Sequence, residues 1–422
     1  MDRPADLHLT DLAEPRLAPA VREMMDQVVA ASAPVVFTSD AVLGAASAQA
    51  KLDDFGHEQF REPLEVLLSS VEREGNLSPF GRISFFTLLV QLAKNRLLLT
   101  DLLKRHPEIR DIRIDAPIVI AGLQRTGTTH LHNMLSADPN LRHLPYWESL
   151  EPVPPRELEA APGGPDPRMA LCETALQFQE QVMPHFNRMH EMTVDHAHEE
   201  IQLLAIDFST MLMESMVALP AYRDWYLSHD QTPHYEFLKT CLQALSFLGG
   251  ERRWVLKSPQ HIEQIPALLA TFPDATVVFT HRDPVSVVAS TTTMLAYTAR
   301  MHQERVDTAA LGAYWVERTE RMLRACVRDR DLVAPDRSMD VRFHEYMKDD
   351  MAVVRQIYRL AGQPLGEASL AAMDAYLDAH PRGRFGRISY TLSDFDLRAE
   401  DVRERMRFYV ERFGLELENT AL

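Results

Sequence analysis

The stretch Val119–Leu135 reads VIAGLQRTGTTHLHNML. An apolar, partly β-branched run ends at Gly122, a polar loop continues to Gly127, and apolar residues then return at helical spacing. Strand, glycine-bearing turn and helix in that order form a cradle for an anion. The unpaired N–H groups of the first helical turn and the positive helix end converge on one spot there. Gly122 and Gly127 fit the first half of a nucleoside-triphosphate loop, but Thr128 and Thr129 stand where that motif places lysine and a hydroxyl residue. The cation of this loop is instead Arg125. Thr126, Gly127, Thr128 and Thr129 are the neighbouring candidate contacts to the anion.

Working outward, APIVIAGL, RWVLKSP (Arg253–Pro259) and ATVVFTHRDP (Ala275–Pro284) are short runs suited to strands buried on both faces. Helical patterns follow, as in HIEQIPALLATF, where Ile262, Ile265, Leu268 and Leu269 share one side. MDVRFHEY (Met339–Tyr346) alternates and reads as a fourth strand. The expectation is an α/β fold: a P-loop-like, doubly wound, mostly parallel sheet with large helical N-terminal, insertion and C-terminal elements. Residues 1–110 read as a helical cap, with Leu88, Leu92, Leu99 and Leu103 on an apolar stripe stopped by Pro107. Residues 111–422 read as the α/β domain, with a helical insertion at about 151–250. The insertion opens on a proline- and glycine-rich surface loop, Glu151–Pro167. Its Phe178, Met183, Phe186, Met189, Met192, Phe208, Met211, Met213 and Met216 read as core, or as the wall of a greasy pocket.

A second cation stands at a strand end in THRDPVSVVASTTTM (Thr280–Met294). Asp283 and Pro284 have the chemistry of an N-cap and a first helical residue, which puts Ser286 and Ser290 on one helix face. Arg282 with a serine hydroxyl makes a compact phosphate clip. Lys257, at another strand end, reaches toward the same place. The strand ends gather cations and show no obvious carboxylate set for a metal, so a cation-clamped phosphate ligand fits better than a magnesium–triphosphate complex.

The formal net charge is −17, from 61 acidic and 44 basic residues. That balance repels nucleic acid and anionic membranes, so an anionic small ligand needs a local basic cluster. Cys172, Cys241 and Cys326 lie in no metal or disulfide spacing. The N-terminal residues lack a signal core, and no window approaches the roughly 20 apolar residues of a membrane span. A cytoplasmic protein without membrane insertion is the expectation.

At these residues the chain resembles the sulfotransferases that use 3′-phosphoadenosine 5′-phosphosulfate, in particular the bacterial branch with an arginine in the loop. GLQRTGTTHLHNML resembles their 5′-phosphosulfate loop, with Gln124 where proline is common. Arg282 and Ser290 have the eight-residue spacing of the family's 3′-phosphate motif. WVLKSPQHI resembles the segment before that motif. HPRGRFGRISYTLSDFDL (His380–Leu397) resembles a basic loop that closes over the nucleotide. Gly386, Arg387 and Tyr390 fit its pattern, and Ser389 replaces a common basic residue. In VRFHEYMKDD, Phe343 takes the place of an aromatic residue that touches adenine, with core packing as its competing role.

The resemblance spans roughly residues 115–400. It implies in-line transfer of a sulfuryl group to a hydroxyl or amine of a small acceptor; the greasy-pocket reading of the insertion makes that acceptor lipophilic, and the cation set calls for no metal. Arg125 and Lys257 would stabilise the leaving oxygens. A homo-oligomer is compatible with it. The base that takes the acceptor proton is Glu148 in LPYWESLEP, or it lies in VDHAHEEIQLL, where His198 and Glu200 are the candidates. On a helix His196 and Glu200 would share one face, and Asp195, His198 and Glu199 another. Two rivals remain open: a P-loop-type kinase or nucleotide hydrolase that binds MgATP, and a non-catalytic nucleotide-binding relative.

Overall fold

The computed structural model describes residues 4–156 and 166–418. After a short strand, β1 (Leu7–His8), come four helices: α1 (Pro19–Ala31), α2 (Ser39–Ala50), α3 (Arg61–Glu74) and α4 (Pro79–Arg105). Thr38 and Ser78 cap α2 and α4 through their side-chain oxygens. The chain then enters β2 (Ile118–Gly122), α5 (Thr128–Ser136), β3 (Leu141–Arg142) and β4 (Leu144–Pro145). Five further strands follow: β5 (Ala197–His198), β6 (Arg253–Ser258), β7 (Thr276–His281), β8 (Ser338–Arg342) and β9 (Ile388–Ser389).

The main sheet has the order β3-β6-β2-β7-β8, and every pairing in it is parallel. All five residues of β2 are buried, and they divide by strand period between two cores. Ile118 and Ile120 join Leu131, Met134, Val278 and Ile357 on one face. Val119 and Ala121 join Phe279 and the apolar residues of α2, α3 and α4 on the other. Helices α2, α3 and α4 therefore have no core of their own and cover a face of the sheet, whereas Val21 and Met25 of α1 pack in a third cluster with Val182, Met183 and Tyr297. Buried Arg96 of α4 binds the carbonyls of Phe55 and His57 and the carboxylate of Asp207, fastening this cover to the insertion. Phe208, Met211 and Met213 are buried in that same cluster, which makes them core.

Three sequence expectations need correcting. β8 stops at Arg342, and Phe343–Tyr346 is a short helix. Residues 195–200 are not helical: Ala197–His198 is β5, paired antiparallel with β4, so the predicted helix faces do not exist. The N-terminal segment is also not wholly helical, because β1 pairs in parallel with β9 and joins the N-terminus to the basic loop before Tyr390. Part of the expected loop Glu151–Pro167 lies outside the described residues, and its end, Pro167, begins a helix.

The chain leaves β2 toward β3 on one side and leaves β6 toward β7 on the other. The strand order thus reverses at β2, and a crevice opens outside the carboxyl ends of β2, β6 and β7. Gly122 is needed there. A Cβ at this position would lie 1.9 Å from Thr280 Oγ1 and 3.0 Å from the Thr280 carbonyl oxygen. Gly122→Ala should therefore lower stability by about 1–3 kcal/mol through overpacking. A urea midpoint that falls with an unchanged m-value is the expected result.

Candidate active site

The loop after β2 is tied from within. The Thr126 hydroxyl lies 2.6 Å from the Leu123 carbonyl and 2.7 Å from the Thr280 hydroxyl on β7. Thr126 can thus offer an anion only its backbone N–H. Arg125 has φ +70° and Gly127 φ +86°. A left-handed non-glycine residue costs on the order of 1–3 kcal/mol and marks a position held by its surroundings. Gly127 caps α5 without a side-chain hydrogen bond, leaving the first N–H groups of the helix without helical partners. The Thr128 and Thr129 hydroxyls have no hydrogen-bond partner among the described residues. The loop therefore presents N–H donors, two hydroxyls and the positive helix end together.

The second motif meets this loop directly. Asp283 Oδ1 accepts the N–H of Val285 at 3.1 Å and starts the helix Pro284–Thr298. Ser290, two turns on, accepts from Arg125 Nε at 2.8 Å, and Arg125 Nη1 donates to the Met189 carbonyl at 2.6 Å. Arg282 Nη1 donates to the Arg125 carbonyl at 2.8 Å. The Arg282 guanidinium also lies 4.1 Å from the centre of the Phe343 ring. That ring approaches within 3.3 Å of where a Cβ would stand on Gly127. Phe343 is thus a half-buried wall at the mouth, between the two motifs. Tyr390 completes the group, with its hydroxyl 3.4 Å from Arg125 Nη2. Burial pushes that hydroxyl's pKa up, but Arg125, Ser290 and Arg282 outweigh burial and hold it below the ordinary tyrosine value.

The third side is Lys257, at the end of β6 and only 2% exposed. Its Nζ pairs with Glu199, and its N–H donates to Glu200 Oε2 at 2.8 Å. The other oxygen of Glu200 binds His261, so Glu200 has both oxygens engaged and pins the chain after β5 to the end of β6. Asn133 of α5 accepts the N–H of Ala197 at 3.2 Å and fixes β5 against the anion-facing helix. His196 Nε2 and His198 Nδ1 are 3.1 Å apart, and His196 Nδ1 lies 2.9 Å from the Thr193 carbonyl. The Thr193 N–H also lies 3.3 Å from His196 Nδ1, but the carbonyl is nearer; with Nδ1 donating to the carbonyl, His196 Nε2 accepts from His198 Nδ1–H, and Nε2 of His198 keeps a lone pair. Burial, with the neighbouring histidines and Lys257, holds His198 well below its usual pKa. Burial with Lys257 brings His196 to about 4, against a raising contribution from Thr193.

Two predicted residues lie apart from this group. Both oxygens of Glu148 accept from Arg142 Nη2, at 2.9 and 2.6 Å. Arg142 stands on β3 beside Trp254, at the start of β6, about 10 Å of strand from Lys257. The Arg387 carbonyl accepts the Leu7 N–H at 3.0 Å, but its guanidinium is exposed and has no hydrogen-bond partner among the described residues, while its neighbours Arg382 and Arg384 pair with Asp350 and Glu191. Among the described residues no group of three or more His, Cys, Asp or Glu is placed to hold a metal ion. No described helix is long and apolar enough to cross a membrane.

The site thus joins a glycine-bearing loop after the central strand of a parallel sheet to an arginine and a serine that follow the next strand, the framework of a group-transfer enzyme. The chain belongs to the sulfotransferase family, whose pattern matches residues 117–367, and it is a sulfotransferase. The omega-hydroxy-beta-dihydromenaquinone-9 sulfotransferase Stf3 of Mycobacterium bovis is 25% identical over 316 residues, which cover 71% of this chain and 75% of that protein. The crystal structure of sulfotransferase STF1 from Mycobacterium tuberculosis H37Rv superposes with a TM-score of 0.76 at 32% identity, over 88% of this chain and 98% of that one. Sulfotransferase STF9 from Mycobacterium avium gives a TM-score of 0.80 at 27% identity, over 92% and 100%.

The buried histidines make stability depend on pH. His132, His190, His196 and His198 all have folded-state pKa values below the ordinary 6.5, chiefly through burial. The unfolded chain therefore binds more protons as pH falls below that value. Stability is fully present above it and declines toward the folded values, about 4 for His196. Each excess proton contributes a slope of about 1.4 kcal/mol per pH unit. Urea midpoints measured from pH 7.5 to 5 should fall steadily, and His196→Asn should flatten the slope.

Proposed function

We propose that this sulfotransferase takes its sulfuryl group from 3′-phosphoadenosine 5′-phosphosulfate and delivers it to a hydroxyl, or amine, of a lipophilic small molecule. One observation carries the choice of donor. The α5 loop and the β7 clip are joined by Arg282 on the Arg125 carbonyl and by Arg125 on Ser290. One ligand with phosphate at both the 5′ and 3′ positions can therefore satisfy both grips. The free hydroxyls of Thr128 and Thr129 and the N–H groups of the first turn of α5 suit the 5′ oxygens. The exposed, unpartnered guanidinium of Arg387 suits a closing contact. Phe343 offers a flat apolar face for a base.

The donor supplies a sulfuryl group on a phosphate leaving group. Sulfuryl transfer, like phosphoryl transfer, spreads charge over oxygens held in line, so positioned cations do most of the work. Arg125 and the loop N–H groups stabilise the oxygens that gain charge on departure. Lys257, released from Glu199, adds its ammonium on the β6 side.

His198 takes the acceptor proton. Its Nε2 carries the lone pair, His196 fixes its tautomer, and burial keeps it neutral. Glu148 and Glu200 are poorly disposed for this role, since both oxygens of each are already bound.

The acceptor reading rests on an apolar cavity of about 190 Å³ between Leu88 and Leu92 of α4, Trp147, Leu150, Leu171 and Cys172. The Tyr146 ring lies 4.6 Å from that of His198 at a tilt of 55°, and the next residue, Trp147, lines the cavity. An apolar group in the cavity would lead its polar end toward the base. The relative Stf3 is named for a menaquinone derivative with a terminal hydroxyl, which agrees in kind.

In an assay with 35S-labelled donor and a lipid extract, label should enter the organic phase. Label confined to sugars would contradict a lipophilic acceptor. His198→Asn should lower kcat by about 10²–10⁴-fold with the nucleotide Kd nearly unchanged. Glu148→Gln should leave the kcat of the folded enzyme within about threefold, although unpairing buried Arg142 destabilises the fold by about 3–5 kcal/mol. The acid limb of the kcat profile should lie below pH 6.5, because His198 is neutral through that range.

A further inference from the structure

The guanidinium of Arg282 already holds an anion. Nε and Nη2 donate to Oε1 and Oε2 of Glu418 at 2.6 and 2.7 Å. This is the fork-to-fork geometry by which arginine also grips phosphate. The remaining nitrogen, Nη1, serves the Arg125 carbonyl, and Phe343 covers a face of the plane. The edge used by Glu418 is therefore the edge a phosphate needs, and the two anions exclude each other there.

The backbone brings Glu418 to that edge by a defined path. The helix Arg407–Phe413 ends at Gly414, whose φ of +61° reverses the chain. Buried Leu415 then anchors the segment in the core, and its N–H donates to the Val410 carbonyl at 3.1 Å. Three residues on, the N–H of Glu418 donates to Asp283 Oδ2 at 2.9 Å. Asp283 thus caps the clip helix with one oxygen and holds the segment with the other. The Glu418 side chain remains 35% exposed, so it can exchange its arginine for water.

We propose that Glu418 is a built-in competitor for the phosphate-binding edge of Arg282. It must swing away for a 3′-phosphate to bind, and its return hastens the departure of the bisphosphate product. Glu418 in this way sets nucleotide affinity and release for the same reaction. The proposal rests on the reading above that Arg282 takes the 3′-phosphate.

The test is calorimetric titration and stopped-flow dissociation with two probes, adenosine 3′,5′-bisphosphate and adenosine 5′-monophosphate. Wild type, Glu418→Gln, Arg282→Ala and a chain ending at Glu416, which keeps Leu415, are compared. If Glu418 covers the fork nine-tenths of the time, its removal should tighten the bisphosphate about tenfold and slow its release. The monophosphate should bind as before, within about twofold. The shortened chain should behave like Glu418→Gln, so a folding defect in one variant does not decide the matter.

Unchanged or weaker bisphosphate binding in both variants would overturn the proposal. So would an equal gain for the monophosphate, which would mean only that a negative charge had been removed. Equal binding of the bisphosphate by wild type and Arg282→Ala would instead overturn the assignment of Arg282 on which the proposal rests.

Discussion

A hydroxyl–hydroxyl contact of 2.7 Å between Thr126 and Thr280 holds the loop after β2 flush with the end of β7, in space that any side chain at position 122 would occupy. The rest of the site depends on that close approach. It lets Arg282, two residues beyond Thr280, reach the Arg125 carbonyl, and it lets Arg125 reach Ser290. A loop one methyl group further out would separate Arg282 from the Arg125 carbonyl and Arg125 from Ser290. The left-handed backbone of Arg125 is held by these same contacts, which turn its side chain across the crevice toward Ser290, Met189 and Tyr390.

The electrostatics solve a problem set by composition. On the proposed reading, a chain of net charge −17 binds a multiply charged anion. It does so with a cluster of cations, most of which carry internal carboxylates: Lys257 with Glu199, Arg282 with Glu418, Arg384 with Glu191 and Arg382 with Asp350. Ligand binding is then an exchange of anions rather than the filling of a bare positive patch. Such a site discriminates against simple anions, because only a ligand that engages several grips together offsets the opened pairs. The buried histidines beside Lys257 extend the same logic: burial keeps them neutral, so they add no further charge to a crowded site.

How much of this was legible in the sequence follows from the range of the interactions. The loop and the clip are local: glycines at a strand end, an Asp-Pro helix start and a hydroxyl two turns on are set by nearest neighbours. The parallel sheet followed from apolar runs alternating with helices. What the chain pattern concealed is long-range. A period of 3.6 could be laid over residues 195–200, but Ala197 and His198 pair with β4 and are extended, with turns on either side. Glu148 stood at a plausible distance along the chain, yet Arg142, six residues away, captures it at the other end of β6. Nothing near Glu418 announces Arg282, 136 positions earlier. The methionines of the insertion read as core or as a pocket wall, and the fold divides them: Met211 and Met213 are core, Met183 and Met192 line a cavity of about 110 Å³ with Phe186, and the apolar cavity of about 190 Å³ is lined by α4, Trp147 and Leu171.

The central claim is that the two grips hold one doubly phosphorylated adenosine without a metal ion. Its most direct measurement is calorimetric titration of the full chain in EDTA with adenosine 3′,5′-bisphosphate, set beside adenosine 3′-monophosphate and MgATP in magnesium buffer. The expected result is one site per chain for the bisphosphate, with the 3′-monophosphate weaker by about 10²-fold, as loss of charge-assisted contacts requires. Saturable binding of MgATP with none of the bisphosphate, or equal affinity for bisphosphate and monophosphate, would contradict it.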